Sequence, residues 1–103
     1  MNIIKNNTKD HFEILRKIDK TPKTSQRELA EELGFSLGKL NYCLKELRNK
    51  GLIKIKNFNK SEKKMTYLYM LTPSGMEMKK NLIVNFMKIK MYEYDELKKE
   101  INN

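Results

Sequence analysis

The sequence has little of what builds covalent or metal-held sites. Its 103 residues include one cysteine, Cys43, and one histidine, His11. A single cysteine excludes an internal disulfide framework and a multi-cysteine zinc site. A single histidine leaves little room for a metal cluster or a histidine-based catalytic site. There is no phosphate-binding glycine loop and no nucleophile–base pair at a recognisable spacing. The expectation is a protein that is not an enzyme, with no catalytic residues, no metal and no cofactor. Apolar runs are only a few residues long, far short of the ~20 needed to cross a bilayer. Residues 1–10 are polar and lack the apolar centre of a secretion signal, so a cytoplasmic location with no membrane contact is expected.

Negative charge is scarce in one place. The chain carries a net +9, with 22 basic and 13 acidic residues. Residues 1–36 and 65–103 each contribute +1, whereas residues 37–64 hold nine basic and two acidic side chains, a net of +7. A local excess of this kind creates a field that attracts a polyanion. By itself it is equally the mark of a solvated basic surface.

Hydrophobic periodicity organises the rest. Thr8 is placed to cap a helix running to about Lys20, with Phe12, Ile14, Leu15 and Ile18 on its apolar face. His11 falls at its surface or boundary. Pro22 ends it. Ser25-Gln26-Arg27-Glu28 reads as a capping box, Leu29, Ala30 and Leu33 as the buried face of a short second helix, and Gly34 as its stop. Ser36 caps a third helix from Leu37 to about Asn49, whose Leu37, Leu40, Leu44 and Leu47 form one buried stripe, with Cys43 at the border of the core. Gly51 ends it. Two helices joined by a short turn around a glycine form a helix-turn-helix.

Residues 52–56 and 66–71 read as strands joined by a lysine-rich tip from Asn57 to Met65, and a short strand at Thr24 completes a small sheet. Thr72-Pro73 opens a last helix with no breaker through Ile101, about 29 residues or roughly 44 Å. The predicted fold is mainly α with a small β-hairpin wing: a winged helix-turn-helix over residues 8–72 and a long C-terminal helix over residues 73–103.

On the third helix the face opposite the leucines carries Gly38, Tyr42, Lys45 and Asn49, flanked by Lys39 and Asn41. These side chains suit a helix in the major groove of double-stranded DNA, with Ser36 and the helix N-terminus holding a phosphate. Lys54, Lys56, Lys60, Lys63 and Lys64 on or beside the hairpin are placed for the backbone. The candidate DNA-binding residues are therefore Ser36, Gly38, Lys39, Asn41, Tyr42, Lys45, Lys54, Lys56, Lys60, Lys63 and Lys64. A thiol at Cys43, near Lys39 and Lys45, is a weaker candidate for redox sensing; a buried free cysteine is much commoner. The last helix has more apolar surface than a small domain covers. Ile83, Met87, Tyr94, Leu97 and Ile101 are the candidate homodimer seam, an identical helix being the simplest partner. The alternative to a DNA-binding regulator is a winged helix used as a protein-interaction module in a larger complex.

The stretch Ser25-Gln26-Arg27-Glu28-Leu29-Ala30-Glu31-Glu32-Leu33-Gly34 resembles the second helix of MarR-type winged-helix regulators. Lys50-Gly51-Leu52-Ile53 and Leu71-Thr72-Pro73-Ser74-Gly75 are also similar. The resemblance is closest to a short subgroup associated with extracellular polysaccharide (EPS) genes, through Ser36 to Lys45 and Lys54 to Phe58. It implies a dimeric transcriptional regulator that recognises an inverted repeat. Longer members often carry an Asp-x-Arg wing tip, whereas residues 57–64 contain no arginine. The resemblance leaves a small-molecule effector unknown.

Overall fold

The computed structural model describes residues 6–21, 23–59 and 66–102. In chain order it has α1 (Asn6–Lys20), β1 (Lys23–Thr24), α2 (Gln26–Leu33), α3 (Leu37–Asn49), β2 (Ile53–Asn59), β3 (Thr66–Leu71) and α4 (Pro73–Asn102). The fold is the expected winged helix-turn-helix followed by a long helix. One boundary differs: α1 begins at Asn6, so Thr8 lies inside its first turn and is not its cap. Neither glycine nor proline precedes Thr8, and nothing in the sequence stops the helix there.

Local chemistry accounts for the remaining ends. Ser25 and Glu28 form the reciprocal capping box, the Glu28 amide donating to Ser25 Oγ at 3.1 Å. Gly34 takes φ +74°, and the Phe35 amide closes the helix end on the Ala30 carbonyl at 2.9 Å. Ser36 Oγ accepts from the Lys39 amide at 3.1 Å to start α3. Gly51, also at φ +74°, ends it.

The three strands form one antiparallel sheet in the order β1-β3-β2. Ile53 pairs with Leu71 and Ile55 with Tyr69, while Lys54 pairs with Met70. Alternation along the strands sends Ile53 and Tyr69 into the core and leaves Lys54, Lys56 and Met70 exposed. The pairing shifts between Asn57 and Asn59, at the base of the hairpin tip.

A single cluster joins Phe12, Ile14, Leu15 and Ile18 of α1 to Leu29, Ala30, Leu40, Cys43, Leu44, Leu47, Leu52, Ile53, Tyr69 and Leu82. Burying each of its larger aliphatic side chains stabilises the fold by roughly 1.5–3 kcal/mol before entropy is subtracted. Two placements correct the sequence reading. Leu37 is not part of the buried stripe but 44% exposed, because the first turn of α3, from Ser36 to Lys39, is exposed throughout. Cys43 lies within the core and not at its border.

The proximal half of α4 belongs to the same core. Leu82 is buried, Ile83 and Phe86 pack against the cluster, and the Phe86 ring stacks on Phe12 at 4.6 Å. Lys79 also bonds to Asp19 of α1. Farther on, Met87, Met91, Tyr92, Tyr94, Leu97 and Ile101 are exposed, and the projecting helix gives the molecule its 63 × 26 × 20 Å extents.

The start of α4 is locked by backbone contacts. Thr72 Oγ1 accepts from the Gly75 amide at 3.0 Å and donates to the Gly51 carbonyl. The Thr72 amide donates to the Leu52 carbonyl at 3.0 Å. A Cβ on Gly75 would lie 2.0 Å from that carbonyl oxygen, whereas one on Gly38 would meet nothing within 4 Å. Gly75→Ala should therefore lower stability by about 3 kcal/mol, moving the melting temperature down by more than about 10 °C. Gly38→Ala should be neutral or slightly stabilising. Thermal unfolding followed by circular dichroism checks both; equal melting temperatures for the two variants would contradict the packing at Gly75.

Candidate nucleic-acid interface

The buried stripe of α3 determines which of its residues face outward. With Leu40, Cys43, Leu44 and Leu47 in the core, Ser36, Gly38, Lys39, Asn41, Tyr42, Lys45, Arg48 and Asn49 are exposed. Tyr42 is 61% exposed and lies about 200° around the helix from Leu40. Lys54 and Lys56 are exposed on the outer side of β2, which packs against α3. The structure thus brings together eight of the eleven candidate positions on α3 and the adjoining strand. Lys60, Lys63 and Lys64 lie outside the described residues.

The two flanks of α3 differ. Asn41, Lys45 and Arg48 occupy one of them, and all three are exposed. The other is tied to α1. Lys39 Nζ lies 3.1 Å from Asp10 Oδ2 and 4.3 Å above the centre of the Phe35 ring. Behind it, Glu46 Oε1 lies 3.0 Å from His11 Nε2, and Glu46 Oε2 accepts from the Tyr42 hydroxyl at 3.0 Å. His11 is buried, not a surface or boundary residue. Its partner comes from 35 residues away, which a reading of α1 alone does not reveal. Sequence reasoning also left Arg48 and Glu46 out of the site; their place in the helical wheel beside Lys45 and Tyr42 was the available signal.

Electrostatics follow from these contacts. The Glu46 carboxylate, by its hydrogen bond and then its charge, pushes the Tyr42 phenol above its ordinary value. Burial pushes the Cys43 thiol up, Asp10 and Glu46 add to the rise, and Lys39 opposes them. A thiol held in its protonated form is a poor nucleophile, so the arrangement disfavours redox sensing at Cys43. At the N-terminus of α3 the amides of Leu37 and Gly38 have no carbonyl one turn back, and the open space beside Gly38 leaves them approachable. Such a terminus, beside Lys39, favours an anion. Among the described residues no group of three or more His, Cys, Asp or Glu side chains is placed to hold a metal, and no helix is long and apolar enough to cross a membrane.

Comparisons with known proteins place the fold. Residues 11–54 match the family described as winged helix-turn-helix DNA-binding, a span running from within α1 to the start of β2. Among solved structures, the PcaV transcriptional regulator from Streptomyces coelicolor is 18% identical and superposes with a TM-score of 0.73 over 84% of this chain and 62% of its own. A MarR protein from Peptoclostridium difficile is 18% identical, with a TM-score of 0.71 over 84% of this chain and 56% of its own. ZitR from Lactococcus lactis, a zinc-responsive MarR family member, is 24% identical, with a TM-score of 0.68 over 93% of this chain and 63% of its own. The chain therefore shares the fold of MarR-type winged-helix regulators while spanning less than two thirds of the length of these three. No curated protein matches the sequence.

Proposed function

We propose that the chain is a cytoplasmic, sequence-specific transcriptional regulator that binds double-stranded DNA as a homodimer. The observation that carries the reading is the exposed face of α3: its rotation is set by the buried leucines, its first turn is open at Gly38, and Lys54 and Lys56 extend its positive charge along β2. In this reading α3 lies in the major groove. Asn41, Tyr42 and Lys45 meet base edges, Ser36 and Lys39 meet phosphate at the helix N-terminus, and the lysines of the wing, including Lys60, Lys63 and Lys64, meet the backbone. The likeness of residues 36–45 and 54–58 to the short EPS-associated subgroup of MarR-type regulators supports the same assignment.

Binding to random duplex DNA, measured against salt concentration, tests the reading. Log affinity should fall linearly with log salt. Replacing Lys54 and Lys56 together by glutamine should make that slope shallower by about 0.9 for each phosphate these side chains neutralise. Absence of duplex binding would favour a protein-interaction module instead. An unchanged slope in the double variant would remove these two lysines from the interface.

The second copy is supported by the distal part of α4. Met87, Tyr94, Leu97 and Ile101 recur at spacings of seven, three and four, and all are more than half exposed. Such a seam pairs well with its twin. Ile83, at the proximal end, packs against the core of its own domain and borders that seam. Leu97→Glu with Ile101→Glu places like charges across the paired helices. Light scattering should report a dimer for the natural chain and a monomer for the double variant, with the helical circular dichroism signal largely kept. A natural chain already monomeric at tens of micromolar would contradict the dimer.

A further inference from the structure

Tyr42 stands near the centre of the exposed face of α3, and its hydroxyl is already committed on one side. A hydroxyl has one proton to donate and two lone pairs to accept with, whereas a carboxylate only accepts. The 3.0 Å contact between Tyr42 Oη and Glu46 Oε2 therefore has one direction: the phenol donates. The same argument fixes the other end of the carboxylate. His11 Nε2, 3.0 Å from Glu46 Oε1, must carry the proton of that bond. His11 is 7% exposed and held by the core packing of α1, and the Glu46 side chain is 27% exposed. The carboxylate is thus strung between a buried anchor on α1 and an exposed phenol on α3. The phenol's proton points back toward its own helix, so what it offers to the outside is a lone pair. Because Glu46 also raises the phenol above its ordinary value near 10, that proton stays in place through the neutral range.

The major groove distinguishes such a probe. At a given strand position, adenine N6 and cytosine N4 present amino donors, whereas guanine O6 and N7 and thymine O4 present acceptors. An oxygen that can only accept meets adenine or cytosine with a hydrogen bond and meets guanine or thymine lone pair to lone pair. We propose that Glu46, anchored by His11, is a positioning residue that makes Tyr42 an acceptor-only reader, selecting an adenine or cytosine amino group at one position of each half-site. This rests on the reading that α3 enters the major groove.

Selection of bound sites from a random duplex library tests it, using the natural chain, Glu46→Gln and Tyr42→Phe. The natural chain should show one half-site position restricted to adenine or cytosine, roughly tenfold over guanine and thymine. In Glu46→Gln the charge-assisted bond to the phenol is lost, and the carboxamide can turn its amino group toward Tyr42. The phenol's O–H is then no longer held to its own helix, so the preference at that one position should weaken or reverse toward guanine or thymine while the other positions hold. Tyr42→Phe should abolish the preference for amino-bearing bases there. The melting temperature should change little in either variant.

A profile for Glu46→Gln identical to that of the natural chain overturns the proposal, as does a Tyr42→Phe chain that keeps the adenine or cytosine preference. Loss of preference at every position, or a large fall in melting temperature, also overturns it, because Glu46 would then be acting through the fold. Failure of the natural chain to bind any duplex is a different outcome: it removes the DNA-binding reading on which the proposal stands.

Discussion

Burial of Leu40, Cys43, Leu44 and Leu47 against α1 and α2 fixes the rotation of α3 about its own axis, and the outer surface of the molecule depends on that rotation. Turning the helix by one residue, about 100°, would move its leucines onto an exposed flank and bring Lys39 or Asn41 into the place of Leu40 in the core. The cost of an unpaired buried polar group, roughly 1–3 kcal/mol or more for a charge, makes such slippage unfavourable. The core thus acts on function indirectly: the leucines touch nothing outside the domain, yet they decide which side chains do.

Two joints hold the neighbouring elements to this frame. Across the turn before β2 and the turn before α4, Thr72 bridges the Gly51 carbonyl and the Gly75 amide, and the Leu52 carbonyl accepts from the Thr72 amide. These few backbone contacts set where the long helix leaves the domain. On the opposite side, Phe12 stacked on Phe86 and Lys79 bonded to Asp19 fasten α4 to α1. The orientation of the projecting distal seam is therefore tied to the same core that orients α3, which is the mechanical requirement for two copies to present their α3 helices at a defined separation.

Much of the fold was legible in the sequence because local chemistry marks it. The Ser25 and Ser36 caps, the glycines at 34 and 51, the Thr72-Pro73 start and the alternation in the two strands each have a short-range cause, and the elements lie where those causes put them. The misreadings have a common origin in tertiary context. Leu37 has the spacing of a core residue but sits on a helix turn that stands clear of the core. His11 and Cys43 looked peripheral from their own helices, yet packing between α1 and α3 buries both. The candidate site was legible to the same extent: its exposed polar residues and the Tyr42–Glu46 pair, four residues apart, follow from helical period, whereas the Asp10–Lys39 and His11–Glu46 contacts join residues about 30 positions apart or more and leave no trace in any local pattern. Those contacts matter chemically, since they set the charge of one flank of α3 and the direction in which its tyrosine hydroxyl points.

The proposed function requires α3 to lie in the major groove in two copies. Methylation protection with dimethyl sulfate reads this directly, because guanine N7 is a major-groove atom. On a duplex carrying a selected site, the protein should shield guanine N7 in two patches about one helical turn apart, roughly 34 Å between centres. Protein bound to that duplex with every guanine N7 still fully reactive would contradict the groove placement and the function built on it.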